Sequence, residues 1–224
     1  DVADPAMDTG RKLAALVGVG TVVRGVAPAG AAQLARVSSP PIPDLVEQML
    51  LRSDNDLAEA LGRHVALATS MPATFDGAAA GISAALVPLL APAALPAQAL
   101  RLRDASGLSP LNRVQPVAIA RLLALAATDP RYGAVLSGLP VGGFSGTLQE
   151  RFRIGPSLGA AGVVRGKTGT LTGVSALAGL VRTRSGRLLA FDLTADGLPA
   201  GSSTKASQAA LDAVATALAS CGCP

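Results

Sequence analysis

The sequence predicts an α/β protein in which helices flank an antiparallel sheet. Three observations carry that class. Apolar residues recur at helical spacing through most of the chain up to residue 160, three β-rich runs follow between residues 163 and 194, and a helical pattern closes the chain. Composition agrees. Of 224 residues, 50% are hydrophobic and 15% charged, enough apolar surface to offset chain entropy and exclude disorder. The length fits one globular domain or most of a larger one. The 25 Gly and 16 Pro follow no period, which excludes a collagen-like chain.

Asp4-Pro5 opens a short amphipathic helix running from Ala6 to Val17, with proline at the first position, where its missing N–H has no partner to lose. Val19 to Val26 reads as an extended segment ended by Pro28 and Gly30. Pro40-Pro41-Ile42-Pro43 is a stiff connector, and Asp44 then caps a helix through Leu45, Val46, Met49 and Leu50. A second helix starts near Asp56 and carries Leu57, Ala60, Leu61 and Val65. Ser53-Asp54-Asn55 therefore falls on the turn between two apolar helices, a place that holds polar side chains at the edge of a core. Residues 78–91 are helical by composition, and Asp104-Ala105-Ser106-Gly107-Leu108-Ser109-Pro110 is a loop rich in turn formers. Pro116 opens a helix to Ala127, stopped by Asp129-Pro130, and residues 138–146 form a Gly-rich loop.

The last third changes character. Val163 to Leu171, Val174 to Thr183 and Arg187 to Thr194 are β-rich, split by Thr172-Gly173 and by Arg184-Ser185-Gly186. Such short breaks are hairpin signals, so the three runs predict an antiparallel meander. Lys205 to Ala219 reads as a terminal helix with Leu211, Val214 and Leu218 on one face.

Charge and cysteine usage exclude several function classes. The net charge is +4, but no Lys/Arg run marks a nucleic-acid patch, and the five aromatic residues (Phe75, Tyr132, Phe144, Phe152, Phe191) are too scattered for base stacking. The two cysteines, Cys221 and Cys223, have one histidine in the whole chain and no carboxylate cluster to complete a zinc site. A disulfide to another segment and a surface thiol pair both fit them. The N-terminus has neither the basic region nor the apolar core of a signal peptide. Residues 77–100 carry no charge, yet Pro88, Pro92 and Pro96 break the helical ladder, so the stretch reads as buried helix plus turns. His64 reads as an ordinary helix residue. Arg182, Arg184 and Arg187 flank a hairpin and read as a solvated edge that resists strand-to-strand association.

Two short motifs carry chemistry. Lys167-Thr168-Gly169-Thr170 lies on the first predicted strand. Lys167 offers a fixed positive charge, Thr168 a hydroxyl for a carboxylate, and Gly169 lets a substrate backbone approach the strand edge. The Thr170 N–H is placed to face a developing oxyanion. Alone, the run reads as an ordinary strand. Ser53-Asp54-Asn55 alone reads as a helix cap. The pair says more: Ser-Asp-Asn on a helix–helix turn, followed 114 positions later by Lys-Thr-Gly on a strand, is a motif set of serine acyltransferases acting on D-alanyl peptides.

Further runs extend the likeness: Asp104 to Ser109, Ser145-Gly146-Thr147-Leu148 with Arg151-Phe152, and Gly166 through Gly179. With them the whole chain resembles the low-molecular-mass class C penicillin-binding proteins, the serine D-alanyl-D-alanine carboxypeptidase/endopeptidases. The run after Lys167 separates it from class A β-lactamases. The resemblance implies a penicillin-binding transpeptidase-like (serine β-lactamase-like) fold: an antiparallel sheet flanked by helices, plus an all-helical subdomain. Residues 1–224 would be the C-terminal portion of one such domain, with a mostly helical part to about residue 160 and the meander and terminal helix over 161–224. It also implies roles. Ser53 relays a proton between a catalytic lysine and the leaving amine, Asn55 holds the substrate amide and that lysine, and Lys167 raises the local positive potential. Thr168 and Thr170 bind the terminal carboxylate, the Thr170 N–H forms half of an oxyanion hole, and Leu108 lines a side-chain pocket. Asp54 pins the turn.

One departure stands out. The family's nucleophile lies in Ser-x-x-Lys upstream of Ser-Asp-Asn, whereas here Ser202-Ser203-Thr204-Lys205 lies at the wrong end and Thr9-Gly10-Arg11-Lys12 has a threonine. Both read as chance matches. The expectation is a nucleophile on an N-terminal segment of the same protein outside these residues. No metal or organic cofactor is implied. The implied partners are the peptidoglycan stem peptide and β-lactams, the implied setting extracytoplasmic. The rival readings are a non-catalytic wall-binding or regulatory protein of the same fold, and a β-lactamase.

Overall fold

Caps written in the sequence set where the helices begin. The computed structural model describes residues 3–91, 95 and 99–222, and the chain divides into two compact units, residues 1–39 and 40–224. In the first unit, α1 (Pro5–Leu16) starts where Asp4 accepts a hydrogen bond from the Met7 N–H at 3.2 Å. Arg24 pairs with the same carboxylate. The extended run expected at Val19–Val26 forms no strand: among the described residues it has no ladder partner, and Val23 and Val26 are exposed.

The second unit opens with α2 (Ile42–Arg52), which starts two residues before Asp44. Pro41 occupies the cap position and Asp44 falls in the first turn, where a carboxylate still meets the positive helix end. α3 (Asn55–Ala68) and α4 (Phe75–Leu90) pack together, with Asp54 and Thr74 as side-chain caps. The buried stripe of α3 is Glu59, Gly62 and Ala66, whereas Ala60 and His64 are exposed. Helix α4 accounts for most of the uncharged stretch 77–100. It carries Pro88 inside, while Pro92, Pro96 and Gln98 lie outside the described residues, as does Cys223. Among the described residues, no helix is long and apolar enough to cross a membrane. A two-residue ladder, β1 (Leu100–Arg101) with β2 (Arg113–Val114), brackets the 104–110 loop. It is too short for its alternation to show in the sequence. Then come α5 (Pro116–Thr128), a 3-10 turn and the short α6 (Gly133–Gly138).

The meander forms as expected. β3 (Val164–Leu171), β4 (Val174–Arg182) and β5 (Leu188–Ala195) pair antiparallel in that order, with Lys167 opposite Ala178 and Ala178 opposite Asp192. Alternation gives the sheet two apolar faces. On one, Val164, Leu177, Val181 and Phe191 bury against Leu148, Phe152 and α7 (Thr204–Ser220). On the other, Leu180 packs with Leu123 of α5 and Leu139. The core stripe of α7 is Leu211, Ala215 and Ala219, with Leu218 packed beside it. Val214 is 47% exposed, because a step of three residues from Leu211 swings it off the stripe.

Candidate active site

The turn between α2 and α3 shapes the first half of the site. Ser53 closes α2 in a left-handed conformation (φ 55°, ψ 49°), uncommon for a residue with a Cβ. The next N–H, of Asp54, returns to the Met49 carbonyl at 3.0 Å. Asp54 caps α3, its Oδ1 accepting from the Leu57 N–H at 2.9 Å, so its carboxylate holds the turn. Asn55 is the first residue of α3, and among the described residues its side chain makes no hydrogen bond.

β3 supplies the second half. It is an edge strand whose free side is bridged at its start: Pro140 accepts from the Gly166 N–H, and Gly142 donates to the Val164 carbonyl. By the two-residue period of a strand, the N–H groups of Thr168 and Thr170 point to that same outer side. Beyond the bridge they meet no other strand among the described residues. Thr170 and Gly169 are exposed, and a Cβ built at Gly169 would lie 3.3 Å from the Cβ of Ala176, its partner across the ladder.

The two halves meet at Lys167. Its Nζ donates to Ser53 Oγ at 2.6 Å and to the Thr168 carbonyl at 2.7 Å. Burial holds the Lys167 pKa below the ordinary lysine value. Thr168 Oγ1 donates to Thr147 Oγ1 at 2.8 Å, which fixes the hydroxyl that the sequence assigned to a carboxylate. Thr147 lies in a loop that grips α2: Gly146 has φ +53°, and a Cβ there would come within 2.4 Å of the Leu51 carbonyl. Only glycine lets loop and helix approach this closely.

Beneath Lys167 runs an apolar groove of about 500 Å³, walled by Leu50, Ile119, Leu123, Val135 and Leu139 and floored by Ala176 and Ala178 of the sheet. Asp192 lies in the same cross-strand row as Lys167. Burial raises its pKa, while a hydrogen bond from Thr194 Oγ1 at 3.0 Å partly offsets that rise.

A smaller cavity of about 390 Å³ joins Asn55 to Leu108, whose side chain is 52% exposed, with Phe75 and Glu59 also in its wall. Two buried carboxylates build the loop that carries Leu108. Glu59 Oε1 accepts from the N–H groups of Ala105 (3.0 Å) and Ser106 (2.9 Å). Asp104 accepts from the Gly107 and Ser109 N–H groups and from the Asn112 amide. The structure thus brings Ser53, Lys167 and Thr168 into contact, leaves Thr170 and Gly169 at the adjoining edge, and sets Asn55 with Leu108. Thr147 and Glu59 were not among the expected site residues. The signal for Glu59 was an acid four residues after Asn55 on an otherwise apolar helix face. Of the two stray Ser-x-x-Lys-like runs, one lies in the first unit, and the other brings Ser202 and Thr204 to the wall of a cavity that Thr170 also lines. Ser203, not Ser202, caps α7, and Lys12 pairs with Asp8 on α1 at 2.6 Å.

Fold and site together define a penicillin-binding protein domain. The fold matches penicillin binding protein 4 of Haemophilus influenzae, a structure complexed with a β-lactam, with a TM-score of 0.76 at 26% identity, covering 93% of this chain and 49% of that one. The chain belongs to the D-Ala-D-Ala carboxypeptidase 3 (S13) family, whose model matches residues 1–218. The resemblance read from the motifs is therefore correct. Similar relatives include carboxypeptidase DacB of Mycolicibacterium smegmatis, 38% identical over 98% of this chain, and a carboxypeptidase of Mycobacterium tuberculosis, 40% identical over the same share. The chain spans 47% of the length of each, about half.

Proposed function

We propose that this chain forms the substrate-docking part of a serine DD-carboxypeptidase/endopeptidase. The enzyme cleaves D-alanyl-D-alanine, or D-centred cross-links of peptidoglycan, through an acyl-enzyme outside the cytoplasmic membrane. The observation that carries the reading is the 2.6 Å hydrogen bond from Lys167 to Ser53, made at the mouth of an apolar groove and beside an open strand edge. The nucleophile belongs to a Ser-x-x-Lys segment outside these residues, seated in that groove. The groove's apolar walls, its place next to Lys167 and Ser53, and the half-length match to the carboxypeptidases support this seat.

The residues present divide the work. The substrate's terminal carboxylate lies against the Lys167 ammonium and the Thr170 hydroxyl, and takes from Thr168 the hydrogen that otherwise goes to Thr147. The scissile carbonyl oxygen faces the Thr170 N–H at the strand edge, where negative charge grows as the nucleophile adds. The nucleophile's proton passes to the lysine of the Ser-x-x-Lys segment; as the C–N bond breaks, Ser53 gives its own proton to the departing D-alanine amine and takes the lysine's in its place. Lys167 donates to Ser53 Oγ, which leaves the serine's own hydrogen free to be given away. Asn55 holds the penultimate amide, Leu108 lines the pocket for a preceding side chain, and water later attacks the ester. A β-lactam follows the same path to acylation.

Intact mass after exposure to a labelled penicillin tests the reading on the protein carrying its upstream sequence. A stable gain of one drug mass is expected. Rapid drug turnover without an adduct would mark a β-lactamase instead, and neither adduct nor turnover would leave only a non-catalytic peptide-binding protein of this fold.

A further inference from the structure

One end of the meander gathers arginines that the site does not use. Arg165 lies at the start of β3 opposite Leu180, Arg182 ends β4 opposite Leu188, and Arg184 and Arg187 sit in the connecting turn. All four are exposed, and among the described residues none forms an ion pair with a carboxylate. The turn presenting them is well fixed. The Thr183 N–H donates to the Arg187 carbonyl at 2.8 Å, and Arg182 Nη1 donates to the Gly186 carbonyl at 3.1 Å.

Protection of a strand edge does not account for the cluster. β3 and β5 are the outer strands of this sheet, and β3 is already bridged where Arg165 stands, whereas Arg182 ends the central strand and two others occupy a turn. Like charges held together without a counter-charge raise the local positive potential and attract anions.

The same end exposes apolar side chains. Two hollows, of about 420 and 500 Å³, share Val163 and Arg182, and Leu188, 48% exposed, borders the second. Pro156 and Gly159 of the 3-10 helix Gly155–Ala160 wall the first hollow. That helix carries Leu158, 57% exposed, directly after Ile154, 82% exposed. A soluble polyanion offers phosphates to the arginines but nothing to isoleucine and leucine. A bilayer surface offers both, headgroup phosphates for the cations and an interfacial layer for the apolar side chains.

We propose that this end of the sheet is a docking face for an anionic lipid bilayer, with Arg165, Arg182, Arg184 and Arg187 on lipid phosphates and Ile154 and Leu158 entering the interfacial layer. The proposal does not rest on the acyl-enzyme reading.

Co-sedimentation of the protein carrying its upstream sequence with lipid vesicles tests it. Binding is expected on vesicles of phosphatidylcholine mixed with phosphatidylglycerol, and not on phosphatidylcholine alone. The triple variant Arg182→Gln, Arg184→Gln, Arg187→Gln should lose roughly a hundredfold in partitioning, from the usual contribution of each basic side chain at an anionic surface. Ile154→Ser with Leu158→Ser should weaken binding further at high salt, where the charge contribution is screened. Arg184→Gln alone, at the exposed turn, should still lose about fivefold and guards against misfolding of the triple variant. Unchanged binding by the arginine variants would overturn the proposal. So would a chain that captures soluble polyphosphate and ignores both vesicle types.

Discussion

Replacing Lys167 with methionine separates what this side chain does for the reaction from what it does for the fold. The substitution keeps the length of the side chain and suits the apolar groove beneath it. It removes two charge-assisted hydrogen bonds, to Ser53 Oγ and to the Thr168 carbonyl, each worth about 1.5–3 kcal/mol. Against that loss stands the relief of a buried cation, so net stability should move by no more than about 2 kcal/mol in either direction. Acylation has no such compensation. In the proposed reaction the ammonium holds both the substrate carboxylate and Ser53, so the acylation rate should fall by about 10²–10³-fold, as when one oxyanion donor is removed. The assay is stopped-flow acylation by a chromogenic β-lactam, run on the protein carrying its upstream segment beside its thermal melt.

A second readout follows from burial. Folding holds the Lys167 proton less tightly than the unfolded chain does. In the pH window below the ordinary lysine value, unfolding therefore takes up a proton, and parental stability rises with pH across that window. Lys167→Met should lack this slope, and the parent's acylation should decline as pH rises through the same window. A methionine variant acylated at the parental rate would refute the assigned dock. A parent whose stability falls with pH relative to the variant would refute the buried-cation argument.

Two further substitutions test the framework around the site. Asp212→Ala strips the partner from Arg151, a pair whose side chains are only 9% and 11% exposed, and should cost about 3–5 kcal/mol. That corresponds to a fall of roughly 10 °C in melting temperature for a unit of this size, and the double change with Arg151→Met should recover most of it. A melt lowered no more than by an ordinary surface substitution would show that the pair does not tie α7 to the loop. Glu59→Ala removes the acceptor for the Ala105 and Ser106 amides, so hydrogen exchange at those two positions should speed up about tenfold or more, with Glu59→Gln restoring protection. Equal exchange in parent and alanine variant would mean that the loop holds itself.

The meander was legible because its hairpin breaks and alternation act over a few residues. β3, β4 and β5 begin and end within a residue of the runs that β-branched side chains and turn residues mark out. The site was legible in type for the same reason, since Ser53 and Lys167 stand in short motifs. Their contact was not, because a hydrogen bond across 114 positions depends on how α2 docks against the Gly146 loop. Val19–Val26 has the composition of a strand but not its structure, because a strand is made by a partner. Glu59 escaped notice because a buried acid is identified by the two backbone amides it meets, and those come from a loop more than forty residues away.

The left-handed backbone at Ser53 puts two opposed contributions on one residue. A serine there carries roughly 1–2 kcal/mol of steric strain that a glycine would not feel. The bond it accepts from Lys167, worth about 1.5–3 kcal/mol, outweighs that strain. Ser53→Gly relaxes the backbone but strands a buried ammonium, so the side chain proposed to pass the proton is also the one that keeps the strained turn in place.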